Sequence, residues 1–234
     1  MIHEQAGLAV NGSSLPMRFW HELGRQLRNP TGRRGRWVGQ LMSVVNQRPN
    51  LLAIEALQIA QADSILELGV GSGWALEKLA GTAKVGRIWG IDQSTDMLLL
   101  AARRNRLATQ QGRVSLAQAR FDALPFSGAF FDRILAVNVA YFFERDGRDF
   151  REARRVLRPG GRMIIYVSDR ATLAAWPFAG EDTHRSYDRD ELIAAISSGG
   201  FAKDEIAVAT VRLPLGVSGL LATVIKQPWR VFRS

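Results

Sequence analysis

The sequence predicts a doubly wound α/β fold: a mostly parallel seven-stranded sheet with helices on both faces, an antiparallel C-terminal hairpin and an N-terminal helical cap. Three observations predict it. From Ser64 onward, short apolar runs alternate with helical patterns, the signature of consecutive βαβ units. Runs such as Met163 to Val167 are apolar without alternation, as strands covered by helices on both faces must be. The alternation stops after Phe201, where two strand patterns follow in succession.

Residues 1–62 form the predicted cap. Residues 1–16 look loosely ordered. Met17 to Leu27 then carries Phe19, Trp20, Leu23 and Leu27 at helical spacing. Asn29, Pro30, Thr31 and Gly32 break that helix. Arg36 to Val45 reads as a second helix with Trp37, Leu41, Val44 and Val45 on its apolar face, and Pro49 suits the first position of a third, reaching about Ala60.

The core spans residues 63–234. Strands are predicted near 64–68, 87–91, 113–117, 131–136, 162–167, 204–212 and 219–226, and helices near 73–80, 95–108, 147–157 and 188–198. Phe150, Ala153, Val156 and Leu157 give the third of these helices a buried stripe. Asp188 is the N-cap of the last, and Gly199 and Gly200 close it.

The most informative run is Ile65-Leu66-Glu67-Leu68-Gly69-Val70-Gly71-Ser72-Gly73. An apolar strand passes an acid and enters three alternating glycines, and a helix follows at once. Such a turn needs residues without a Cβ, since side chains would block both the bend and a ligand lying against it. The next strand ends at Asp92, about 20 residues beyond the glycines, where a carboxylate is placed to accept hydrogen bonds from ribose hydroxyls. These features describe a nucleoside-bearing cofactor at the carboxyl edge of a parallel sheet. A P-loop is excluded, because no Gly-Lys-Ser/Thr ending follows the glycines.

The acid-x-Gly-x-Gly-x-Gly pattern of Glu67, Gly69, Gly71 and Gly73 resembles the first motif of class I S-adenosylmethionine-dependent methyltransferases, and the resemblance extends from about Ser64 to Ile225. Asp92 to Met97 resembles that family's ribose-binding segment. Ala123-Leu124-Pro125-Phe126, followed by Phe131-Asp132, is similar to its adenine-side loop and fourth strand, and Arg155 to Gly161 to its helix and turn before the fifth. The resemblance implies S-adenosylmethionine as cofactor, bound by Glu67, Gly69, Gly71, Gly73, Asp92, Gln93, Met97, Phe121, Asp122 and Asn138. It also implies a small-molecule acceptor, in the manner of the quinone-biosynthesis group, and N-terminal helices that often act as a lid.

One position departs from the family. Its adenine-side acid aligns with Arg120, and Asp122 lies two residues later; either Asp122 takes the role, or backbone groups of Phe121 and Asp122 do. Asn138 and Tyr141 close the fourth strand at the carboxyl edge, where they are candidates for lining the acceptor site. They lack the two prolines of the Asn-Pro-Pro-Tyr motif of amino-methylating nucleic-acid enzymes. A catalytic base, where the acceptor needs one, would be His184, Tyr141 or His21; His184 also falls in the stretch that shapes substrate sites in the family.

Composition bounds the remainder. The chain has 234 residues, a net charge of +9, 31 Lys and Arg against 22 Asp and Glu, and no cysteine. Disulfides and thiolate chemistry are therefore excluded, and a reducing cytoplasm is expected. No secretory signal, membrane-length apolar run, metal-ligand spacing or hydrolase triad is evident. The basic balance, with Arg25, Arg28, Arg33, Arg34, Arg36 and Arg48 near one end, keeps open an RNA- or ribosome-directed methyltransferase. No RRM or KH motif accompanies it. A non-catalytic cofactor binder is the third reading.

Overall fold

The computed structural model describes residues 46–175 and 185–228. Helix α1 (Gln47–Ala56) leads into strand β1 (Ile65–Leu68), then α2 (Trp74–Thr82), β2 (Ile88–Asp92), α3 (Thr95–Arg104), α4 (Arg106–Gln110) and β3 (Val114–Gln118). After β4 (Phe131–Val137), a 3-10 turn at Ala140–Phe142 precedes α5 (Arg148–Val156), β5 (Leu157–Ser168) and α6 (Arg170–Ala174). Helix α7 (Arg189–Ser198), β6 (Ile206–Arg212) and β7 (Ser218–Ile225) complete the order.

The strands form one seven-stranded sheet in the order β3-β2-β1-β4-β5-β7-β6. The first five pair in parallel, while β7 runs antiparallel to both β5 and β6. Successive side chains point to opposite faces, so each strand feeds two cores. Leu66, Leu68, Ile134, Ala136, Met163 and Ile165 pack with Phe150, Ala153 and Val156 of α5 and with Leu192, Ala195 and Ile196 of α7. Ile65, Leu135, Ile164 and Tyr166 pack on the other side with Ala53 of α1, Leu76 and Leu79 of α2, and Ala101 of α3. The residues of the predicted stripe, Phe150, Ala153, Val156 and Leu157, are all fully buried.

The C-terminal expectation holds at the level of caps. Asp188 accepts from the Glu191 amide while the Glu191 side chain accepts from the Asp188 amide, a complete capping box. Gly199 is the C-cap residue, and Gly200 lies at φ +93°.

Three details differ from the sequence reading. Helix α1 begins at Gln47 and ends at Ala56, so Pro49 is its third residue rather than its first and the helix stops short of the expected Ala60. The helix expected over 95–108 breaks at Asn105, whose buried side chain donates to the Gly73 and Ala101 carbonyls at 2.9 Å each; holding the glycine turn takes that residue out of helical geometry. Strand β5 starts at Leu157, ahead of the expected 162, because Leu157 pairs with Phe131 across a register shift before the regular ladder begins at Arg162. The helices expected at 17–27 and 36–45 lie outside the described residues.

The order of the strands reverses between β1 and β4. In open α/β sheets the crevice beyond the carboxyl ends of the strands at such a switch point is where ligands bind. The glycine turn, Asp92, Asn138 and Ser168 all lie at that edge.

Candidate active site at the carboxyl edge of the sheet

The glycine turn is fixed by its neighbours. The Gly69 amide donates to the Ile91 carbonyl at 2.8 Å, and the Gly73 amide donates to Val70 at 2.8 Å. All three glycines have positive φ: +74° at Gly69, +49° at Gly71 and +77° at Gly73. Their surroundings differ. A Cβ on Gly73 would sit 2.7 Å from Ala101 Cα and from Asn105 Nδ2, so α3 packs directly on that backbone. A Cβ on Gly71 would meet nothing within 4 Å. Gly73 serves internal packing, whereas Gly71 borders open space at the ligand edge.

Asp92 ties the turn to the second strand. Its Oδ2 accepts from the Gly71 amide at 3.1 Å and its Oδ1 from the Ser94 amide at 2.9 Å. A carboxylate offers about four lone-pair sites, so both oxygens retain acceptor capacity. Burial raises the Asp92 carboxyl from its ordinary value, against the lowering effect of these backbone amides. Ser94 then caps α3 by accepting from the Met97 amide at 3.3 Å, and Met97 itself is buried. Gln93 is exposed, and its carbonyl accepts from the Gln118 side chain at 2.9 Å.

Glu67 is the unusual group. It sits in the middle of the sheet on the face shared with Ile65, buried, and its Oε2 has no hydrogen-bond partner. Burial first, and the charge of Asp92 second, hold its carboxyl well above the usual range. A buried acceptor left unpaired costs about 1–3 kcal/mol. This orphaned oxygen and the open cradle at Gly71 fit a ligand with a cationic or hydrogen-bond-donating end.

On the far side of the site, the Ala119 amide donates to the Asp92 carbonyl at 3.3 Å, which brings the loop after β3 against the end of β2. Phe121 is buried there, 5.5 Å from the Phe143 ring. Asp122 is fully engaged: Arg120 Nε and Nη2 donate to its two oxygens at 2.8 and 2.7 Å, and Arg148 lies 3.6 Å away. The Arg120 hydrogen bonds hold this carboxyl below its ordinary value. The departure at Arg120 is thus matched by a local ion pair two residues on.

Asn138 and Tyr141 come together as the sequence placed them, but with unequal access. Asn138 is half-buried at φ +53°, a conformation uncommon outside glycine. Its Oδ1 accepts from the Tyr141 hydroxyl at 2.7 Å and lies 3.3 Å from the Ser168 amide; its Nδ2 donates to Asn46 Oδ1 at 2.8 Å. Asn46, the N-cap residue of α1, spends its side chain here and makes no capping hydrogen bond to the helix. Tyr141 is buried, its hydroxyl also accepts from the Ser168 amide, and burial pushes that hydroxyl upward. Its hydroxyl is therefore committed to fixing the Asn138 amide. The base candidates His21 and His184 lie outside the described residues, as do Arg25, Arg28, Arg33, Arg34 and Arg36.

Four residues of this edge escaped the sequence reading: Asn46, Asn105, Ser168 and Arg185. Single Asn or Ser residues at element ends carry no spacing pattern, and their roles follow from partners more than 25 residues away in most cases. Among the described residues no cluster of His, Asp and Glu could hold a metal, and no helix is long and apolar enough to cross a membrane.

Comparison with known proteins agrees with this geometry. The profile of a methyltransferase-domain family matches residues 66–165. An uncharacterized methyltransferase, YdaC of Bacillus subtilis, is 30% identical over 180 residues, which are 77% of this chain and 94% of that protein. The ubiquinone/menaquinone biosynthesis C-methyltransferase UbiE of Syntrophotalea carbinolica is 30% identical over 122 residues, 52% of this chain and 50% of its own. Among solved structures, the complex of the Haloferax volcanii Trm112 methyltransferase activator with its putative methyltransferase superposes with a TM-score of 0.67 at 19% identity, over 81% of this chain and 93% of that one. This likeness concerns the fold. With the glycine turn, the acid ending β2 and the seven-stranded order in place, the chain belongs to the class I S-adenosylmethionine-dependent methyltransferases.

Proposed function

We propose that this methyltransferase acts on a small-molecule acceptor presented to Asn138 at the end of β4. The observation that carries the reading is the Asn138 amide itself. Two donors reach its oxygen, one nitrogen hydrogen is taken by Asn46, and the strained backbone is held in place by the Asn138 amide donating to the Tyr166 carbonyl at 2.8 Å. What remains is one oriented N–H at the sheet edge, suited to a single polar atom of a small acceptor. The naming of a relative for quinone biosynthesis points the same way.

The cofactor, when bound, supplies an electrophilic methyl group on a sulfonium. The residues of this chain hold it. Asp92 accepts from the ribose hydroxyls with the lone pairs its two amide partners leave free. The Gly71 backbone would border the cofactor, and the orphaned oxygen of Glu67 would accept from its ammonium end. Gln93, Met97, Phe121 and Asp122 border the nucleoside, with Phe121 and the local backbone recognising adenine while Asp122 stays bound to Arg120. Displacement at a methyl carbon is in line, so positioning supplies most of the acceleration. Asn138 orients the acceptor, and Tyr141 acts through Asn138. A deprotonating base, where the acceptor needs one, is sought first at His184. The N-terminal segment serves as a lid, and the cytoplasm is the working compartment.

A nucleic-acid acceptor is less favoured because no RRM or KH motif accompanies the basic balance of the sequence. The test is incubation of cell extract with methyl-labelled S-adenosylmethionine and the protein, then separation of labelled products by size. Label in a small metabolite is expected. Label confined to RNA refutes the small-molecule reading, and cofactor binding without any labelled product would leave a non-catalytic binder.

A further inference from the structure

Arg185, which lies against the 3-10 turn that follows β4, has no carboxylate partner among the described residues. The Arg185 amide donates to the Tyr141 carbonyl at 3.1 Å, so its backbone is pinned to the 3-10 turn that follows β4. Its half-buried guanidinium lies 5.0 Å from the Tyr187 ring centroid. Tyr187 is a firm platform: its ring is fully buried and its hydroxyl donates to the Ala140 carbonyl at 2.8 Å, on the same turn. A second guanidinium, Arg145, follows that turn in the chain, is exposed, and forms no ion pair with a described residue. Both charges act on the Tyr187 hydroxyl, although burial dominates and pushes it up to about 12. The carboxylate that shares this neighbourhood, Asp149, is turned away: it is buried and accepts from the Glu144 amide at 2.6 Å.

We infer that Arg185, assisted by Arg145, forms an anion subsite that binds a carboxylate or phosphate of the acceptor beside Asn138. The inference rests on the methyltransfer reading and deepens it by naming the charge class of the acceptor. A guanidinium held against an aromatic face keeps its fork of donors in a fixed plane, which favours two-point binding of a planar or tetrahedral oxyanion. The chain of contacts is short. Arg185 is bonded to the main chain of Tyr141, and the Tyr141 hydroxyl is bonded to Asn138.

The experiment titrates the full chain, saturated with S-adenosylhomocysteine, with phenyl phosphate, benzoate and neutral benzyl alcohol at fixed ionic strength. Arg185→Gln, Arg185→Lys and Arg145→Gln are compared with wild type, and Arg106→Gln serves as an exposed control on α4. Wild type is expected to bind at least one anion and not the alcohol, and the preferred anion separates phosphate from carboxylate. Arg185→Gln should lose affinity for it by about tenfold or more, Arg185→Lys and Arg145→Gln by less, and Arg106→Gln not at all, with S-adenosylhomocysteine affinity unchanged throughout. If Arg185→Gln is unstable, the Lys variant and the Arg145→Gln ranking carry the test. Equal anion binding in all variants, or none in wild type, with cofactor-product binding intact, overturns the subsite alone. Failure of wild type to bind S-adenosylhomocysteine overturns the reading beneath it as well.

Discussion

Adding one methyl group at Gly71 or at Gly73 should have opposite consequences, although the two glycines are two residues apart in one motif. Gly71→Ala forces a side chain into φ +49°, at a cost of roughly 1–2 kcal/mol, but the new Cβ meets no protein atom within 4 Å. At roughly 2–4 °C per kcal/mol for a domain of this size, the melting temperature should fall by about 2–8 °C and folding should remain cooperative. On the proposed cofactor site, the methyl would instead protrude into the space the cofactor occupies. Overpacking a fitted contact costs about 1–3 kcal/mol, so S-adenosylhomocysteine affinity should fall about 5- to 150-fold. Gly73→Ala has similar backbone strain, and its Cβ also collides with Ala101 Cα and Asn105 Nδ2 at 2.7 Å. Stability should then fall by roughly 2–5 kcal/mol, most of it lost between α3 and the turn. Calorimetric titration and thermal melts of both variants check the pair. Wild-type affinity in a folded Gly71→Ala protein, or equal stability of the two variants, would refute the assignment of Gly71 to the ligand and Gly73 to the fold.

The fold was legible because its signals are periodic. Seven apolar runs, separated by helical patterns, map onto seven strands, and the loss of alternation after Phe201 became the antiparallel pair β6 and β7. The Asp188 cap was legible for a local reason, since its partner Glu191 is three residues away. What the sequence hid depends on distant partners. Asn105 breaks the expected helix to hold Gly73, a residue 32 positions earlier. Tyr141 looked like an acceptor contact, yet Ser168 and Asn138 claim its hydroxyl. Arg120 stood out only as a mismatch until its bidentate contact with Asp122 appeared.

Asp92→Ala should weaken S-adenosylhomocysteine binding by about 1–3 kcal/mol, since ribose hydroxyls and the Gly71 and Ser94 amides all lose an acceptor; calorimetry showing unchanged affinity would move the ribose site elsewhere. Burial raises the Glu67 carboxyl and a bound ammonium would favour its ionised form, so cofactor affinity should rise with pH as Glu67 ionises and the dependence should vanish in Glu67→Gln. Asp149 tests the linkage in stability: burial pushes its carboxyl from 3.8 to about 6, so the folded state holds a proton that the unfolded chain releases. Stability is then greatest below about pH 4 for this group and falls, by up to about 3 kcal/mol, as pH rises through 6; denaturant melts of Asp149→Asn, which keeps an acceptor for the Glu144 amide, should lack that slope. The last expectation separates Tyr141 from Asn138. Tyr141→Phe removes one hydroxyl from a buried network but leaves the Asn138 oxygen within 3.3 Å of the Ser168 amide, so Asn138 is loosened rather than released. A loss of about 1 kcal/mol in orienting a reacting partner corresponds to about fivefold in turnover. Asn138→Ala removes the oriented N–H altogether and should cost more. Turnover on the identified acceptor, measured with cofactor saturating, should therefore rank wild type above Tyr141→Phe above Asn138→Ala, while S-adenosylhomocysteine affinity in Tyr141→Phe stays at the wild-type value. Equal turnover in all three would show that the network serves only to hold β4 against β5, and the acceptor would have to be sought at another part of the sheet edge.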